Sequence, residues 1–209
     1  MASKLNRDNI ASNLFTKKSS KQILIQGLKE MVPTKGTYLE SFIILVLVIA
    51  ISSLIGISNN TVILLKDVVE VLNNVTLAVF GIIFTGYAIF QALIDTDILK
   101  RLFTTDLKGK PFFSISNDYF IMLMIVNALA IFINMTLLII LKIIPEYWCA
   151  FDNHILNNAI AITLISFYLY FEFKNIWEIK SFVFNIYQMF NISAGEKIIK
   201  IIDEEKKES

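Results

Sequence analysis

The sequence predicts an all-α, polytopic membrane protein: four transmembrane helices, a cytoplasmic amphipathic helix before them and a cytoplasmic helical extension after them. Three observations predict this class. Of 209 residues, 56% are hydrophobic and only 18% charged, against about 45–50% and about 25% in soluble globular chains. Four apolar stretches run between charged residues, each close to the ~20 residues needed to cross ~30 Å of hydrocarbon. Basic residues then divide unevenly between the two sides that four crossings would create, seventeen against two.

Taken in chain order, Ser19 or Ser20 can cap a helix through Lys21–Val32 that Pro33 ends. Leu24, Leu28 and Met31 fall on one face of it and Ile25 and Val32 widen that face, as expected of a helix lying on the inner leaflet or packed on the protein's own cytoplasmic part. Span one covers Ser41 to about Ile57, span two Val71–Ile94, span three Tyr119–Leu141 and span four, the shortest, Ile155–Phe171. Helix is the required state, because lipid offers backbone N–H and C=O groups no partner and no segment shows the alternating polarity of a β-barrel. Beyond Glu172 the chain stays apolar but gains charge, so a helix continues and must bury its Phe, Ile and Tyr side chains against protein. The chain reads as a single membrane domain, 1–209, comprising a cytoplasmic N-terminal segment (1–40), a transmembrane region (41–171) and a cytoplasmic C-terminal helix and tail (172–209).

Seven basic residues precede span one, four (Lys100, Arg101, Lys108, Lys110) follow span two and six follow span four, whereas the other two connections hold only Lys66 and Lys142. Positive residues stay inside, which places both termini in the cytoplasm. Tyr147 and Trp148 follow span three, where an outer aromatic anchor belongs.

Composition narrows the chemistry. A net charge of +1 argues against duplex nucleic acid as a partner. One Cys and one His leave no Cys-rich zinc site, and no metal or other cofactor is expected. Phosphate-binding, dinucleotide-binding, zinc-protease and hydrolase motifs are all missing from the sequence, so an enzyme is not expected. Cys149 and His154 are five residues apart with nothing further to make them a nucleophile and base, and Asp95 and Asp97 read as the polar edge of a helix end.

Functional information therefore rests on polar residues within the membrane, which must find partners or line water. No span has a Lys, Arg, Asp or Glu in its interior, which disfavours a proton-coupled transporter. Span two carries Asn74, Ala78, Gly81, Thr85, Ala88, Ala92 and Asp95 at alternating spacings of four and three, one helical face of small or polar residues between bulky apolar neighbours. That stripe suits close helix packing or the wall of a water path. Asn127, Ala130 and Asn134 form a second, shorter polar stripe on span three, an oligomer seam or a second wall. In the inner loop Lys100, Arg101, Lys108 and Lys110 lie among Phe103, Phe112 and Phe113, a pattern that can hold anionic lipid or a phosphate-rich ligand such as a nucleotide or oligonucleotide.

This layout of cytoplasmic helix, four spans, short basic inner loop and helical tail resembles the small four-span membrane effectors of bacterial anti-phage defence that are paired with nucleotidyltransferases, in particular the Hailong membrane effectors. The resemblance is one of architecture along the whole chain and carries no motif. It implies a homo-oligomeric ion channel in the bacterial inner (plasma) membrane, held shut by a nucleic-acid oligomer on its cytoplasmic face and depolarising the membrane when open. A non-conducting membrane partner, such as an immunity protein or an assembly subunit, is the alternative expectation.

Overall fold

The computed structural model describes residues 19–104, 106–107, 110–146, 148–149 and 151–208. It is helical apart from one short antiparallel pairing. The elements are α1 (Ser20–Glu30), α2 (Tyr38–Ile57), α3 (Thr61–Leu93), α4 (Thr96–Thr104), β1 (Asp106–Leu107), β2 (Lys110–Pro111), α5 (Phe112–Ile143), α6 (His154–Trp177) and α7 (Ile179–Glu208). Four helical stretches are long and apolar enough to cross a membrane: Tyr38–Ile57, Thr61–Leu93, Phe112–Ile143 and His154–Lys206. Large apolar side chains such as Leu39, Phe42, Leu54, Phe132 and Phe167 point outward from them. Water would oppose such a surface and lipid tails accept it.

Local chemistry explains the helix ends. At α1, Ser19 Oγ accepts from the Gln22 N–H (3.3 Å) and Gln22 Oε1 accepts from the Ser19 N–H (2.9 Å), a reciprocal capping box. At α6, Asn153 Oδ1 accepts from the N–H groups of Ile155 (2.9 Å) and Leu156 (3.3 Å). Between α2 and α3 only residues 58–60 are non-helical, and the Thr61 hydroxyl donates to the carbonyls of Ile55 (3.0 Å) and Ser58 (2.7 Å), tying the turn. Lys66, Asp67 and Glu70, which precede the expected start of span two at Val71, therefore belong to α3. Its 33 residues make it about 50 Å long, well beyond the hydrocarbon thickness.

The described residues divide into two compact units, one within residues 27–80 and 126–179, the other within residues 19–26, 81–125 and 180–208. In the first, α2 packs along α6, and Ile44, Val48, Ile55, Leu72, Ile165 and Leu169 form its apolar core. A Cβ at Gly56 would collide with the Ile162 side chain and come within 3.4 Å of the Ile162 backbone, so glycine sets how closely these two helices approach. The second unit is built on rings. Phe90 and Phe120 are fully buried with centroids 5.0 Å apart, Phe182 meets Phe120 edge-on (5.6 Å, 83°), and Phe113 stacks on both Phe90 (6.1 Å) and Phe103 (5.1 Å). Ile98 and Leu102, four apart on α4, are buried in the same unit.

Candidate functional site

The span-two stripe lies on the outside of the lone chain. Asn74, Ala78, Gly81, Thr85, Ala88, Ala92 and Asp95 are all exposed, whereas Leu72, Thr76, Val79, Ile83, Gly86 and Phe90 on the opposite side of α3 are buried. The inward set is spaced by three and four residues, as one face of a helix must be. A Cβ built on Gly81 meets nothing within 4 Å. The Thr85 hydroxyl donates to its own helix at Gly81 O (2.9 Å). Asp95 has a local role: its Oδ1 accepts from the Ile98 N–H (2.9 Å) and so caps α4.

The second stripe behaves differently. Asn127, Ala130 and Asn134 are all fully buried. Asn127 Oδ1 accepts from Asn175 Nδ2 (3.1 Å), and Asn134 Oδ1 accepts from the Tyr168 hydroxyl (2.8 Å). Asn127 and Asn134 thus join α5 to α6 within the chain.

Their partners belong to a polar network at the C-terminal end of α6, around the expected end of span four at Phe171. Glu172, Lys174 and Asn175 are buried to within 2%. Tyr168, Glu172 and Asn175 are spaced by four and three and share a face. Glu172 Oε2 accepts from the Thr76 hydroxyl of α3 (3.0 Å) and Asn134 faces the same carboxyl group. Lys174 and Trp177 turn the other way: Lys174 Nζ donates to Ser41 Oγ (3.4 Å) and Trp177 Nε1 donates to Glu40 Oε2 (3.0 Å), both on α2. Five side chains of α6 thus reach three neighbouring helices. Interhelical hydrogen bonds in membranes contribute only about 0.6–2 kcal/mol each, so orientation is set by the set rather than by any one. The signal for it was in the sequence: the 168–172–175 spacing continues the helical face past Glu172 without a break.

Between the second and third apolar helices, Lys100 of α4 is exposed and Arg101 of α4 forms an ion pair with Glu196 of α7. One turn further along α7, Lys200 Nζ lies 4.0 Å from Asp95. Lys108 lies outside the described residues, and of Lys110 only the backbone in β2 is described. Tyr147 is also outside them. Cys149 is exposed. Among the described residues no group of three or more His, Cys, Asp or Glu side chains could hold a metal ion.

Replacing Arg101 by Glu should set it against Glu196 and loosen α7 where it meets α4. Half-exposed ion pairs contribute ~0.2–1 kcal/mol, so amide exchange across residues 192–202 should quicken by up to about fivefold. The double swap Arg101→Glu/Glu196→Arg should restore the original rate.

No protein-family model matches this chain, and no curated protein or solved structure shows significant similarity to it.

Proposed function

We propose that the protein is a homo-oligomeric ion channel of the bacterial inner membrane, with both termini cytoplasmic, acting as a gated, membrane-depolarising effector of anti-phage defence. The observation that carries this reading is the exposure of the whole span-two stripe on the lone chain. Buried polar side chains of the spans, at Thr76, Asn127, Asn134 and Asn175, already have partners inside the subunit. Asn74 and the small residues below it are left facing outward, and an amide facing lipid is costly. Gathering α3 from several copies about an axis answers that cost. Gly81 and the three alanines permit close approach, and the polar groups then face one another or water.

Gating follows from the inner loop. A polyanionic ligand such as an oligonucleotide would contact Lys100 and compete with Glu196 for Arg101. It would shift the channel's equilibrium by its difference in affinity for the states in which α7 is held or released. The defence role and the nucleotide class of ligand rest on the architectural resemblance.

Purified protein in a planar bilayer should give discrete unitary currents. Short single-stranded oligonucleotides on the cytoplasmic side should change open probability, and native mass spectrometry should give a closed homo-oligomer. A monomer in detergent and a silent bilayer with every oligonucleotide would replace this reading with that of a non-conducting membrane partner.

A further inference from the structure

The single apolar face that the sequence shows on α1 is divided by the fold. Ile23, Leu24, Gly27 and Met31 are buried or half-buried, whereas Ile25, Leu28 and Val32 are exposed. Val32 lies just past the helix, where the N–H groups of Met31 and Val32 still donate to Gly27 O (3.3 Å) and Lys29 O (3.2 Å). The exposed apolar set falls within an arc of roughly 100°, and Lys21 and Lys29, both exposed, fall in the same arc. Gln22, Gln26 and Glu30, four apart and also exposed, form a separate polar side. The helix therefore has three sides: one turned to protein, one polar, and one at once apolar and basic. A helix between protein and water needs only the first two.

The third side has an occupant within reach. Tyr38, which opens α2, is six positions beyond Val32, at most about 21 Å of extended chain. The connection is drawn in further by a turn in which the Thr34 N–H donates to Thr37 Oγ1 (3.0 Å) and the Thr37 N–H donates to Thr34 O (2.9 Å). Helix α2 is apolar enough to cross a membrane, and the exposed Tyr38, Leu39 and Phe42 at its head are the side chains a bilayer meets first. So short a tether keeps α1 beside that bilayer surface. Apolar side chains can enter the acyl boundary there, while lysine stems lie along it and carry their ammonium groups to the phosphates. Eleven residues make a helix that is marginal alone in water, so a surface that accepts the third side also holds the helix. We propose that α1 seats on anionic lipid of the leaflet at which α2 begins, through Ile25, Leu28 and Val32, with Lys21 and Lys29 against the phosphate groups. The proposal stands whether or not the chain conducts.

Nitroxide labels on the full chain in nanodiscs test it. In a Cys149→Ser background, which removes the exposed native thiol, Leu28→Cys and Gln26→Cys place the label on the apolar-basic side and on the polar side. In a two-to-one mixture of phosphatidylcholine and phosphatidylglycerol the Leu28 label should collide with oxygen in preference to a water-soluble nickel chelate, and the Gln26 label should do the reverse. Adding Lys21→Gln/Lys29→Gln should lower the ratio of lipid-seated to unseated α1, read from the two-component Leu28 spectrum, by roughly thirtyfold, about fivefold for each charge. Pure phosphatidylcholine should act on the unsubstituted lysines in the same direction. Ile25→Cys repeats the reading should Leu28→Cys fail to fold. A Leu28 label as open to the chelate as the Gln26 label would overturn the proposal. A label shielded from oxygen and chelate alike would also overturn it and put protein on this side instead. Indifference to both the lysines and the phosphatidylglycerol would overturn it too, because apolar contact alone does not select anionic lipid.

Discussion

If the protein is the homo-oligomeric channel proposed above, leucine in place of Gly81 is expected to reduce it to monomers and to silence its conductance while leaving the subunit as stable as before. The subunit is spared because a Cβ at this position meets nothing within 4 Å and the residue is exposed. Leucine is also the better helix former by roughly 0.5–1 kcal/mol. Assembly is not spared. Gly81 sits between Ala78 and Thr85 on the stripe, where small side chains let helix backbones approach, and an isobutyl group there forces them apart. Overpacking a close contact costs about 1–3 kcal/mol, and in a closed symmetric assembly every copy repeats the same clash. Dissociation should therefore be near complete at concentrations where the wild type is assembled. Ala88→Leu, two turns further along, should act in the same way. Native mass spectrometry reads the assembly, a melting curve reads the subunit and the planar bilayer reads the current. An assembled, conducting Gly81→Leu protein would mean that this face of α3 meets lipid, and the proposed pore axis would have to be abandoned.

How far such an expectation could be reached from the sequence differs from region to region, for physical reasons. Apolar runs bounded by charge define membrane helices well, because the hydrocarbon imposes both length and helical state. Ser41–Ile57 and Tyr119–Leu141 accordingly fall inside α2 and α5. The same reasoning misleads where a charged residue is read as an edge. Lys66, Asp67 and Glu70 stay helical because Thr61 ties so short a turn, and Glu172 and Lys174 are buried because neighbouring helices supply Thr76 and Ser41. Periodicity shows which residues share a face but not what that face meets. The stripes of span two and span three look alike in sequence, yet one is exposed and the other is bonded to Tyr168 and Asn175. Partners more than thirty positions away, such as Arg101 and Glu196, leave no trace in local spacing at all.

Gly86, five residues beyond Gly81 on the same helix, should respond in the opposite sense. Even alanine there is expected to destabilise the subunit. An added Cβ would overlap the ring of Phe182, with both Cε atoms only 3.1 Å away. That ring cannot simply swing aside. Phe182 is buried and set edge-on against Phe120, which packs on Phe90, which stacks with Phe113, so moving one ring disturbs the next. A core this densely filled transmits strain rather than absorbing it. The expected loss is ~1–3 kcal/mol, a fall in melting temperature of about 2–12 °C for a chain of this size. Phe182→Leu added to Gly86→Ala should recover part of it, because leucine is narrower where the new methyl group sits. The single change to Phe182→Leu leaves a cavity and should itself be destabilising, so the two substitutions should couple favourably in a double-mutant cycle. An unaltered melting temperature for Gly86→Ala would mean that Phe182 is not seated on α3. There is a functional consequence as well. If the closed channel depends on α7 being docked in this unit, Gly86→Ala should raise resting open probability without any ligand, whereas Gly81→Leu should abolish current altogether. On the channel reading proposed above, two glycines a turn and a half apart would separate assembly of the pore from control of its gate.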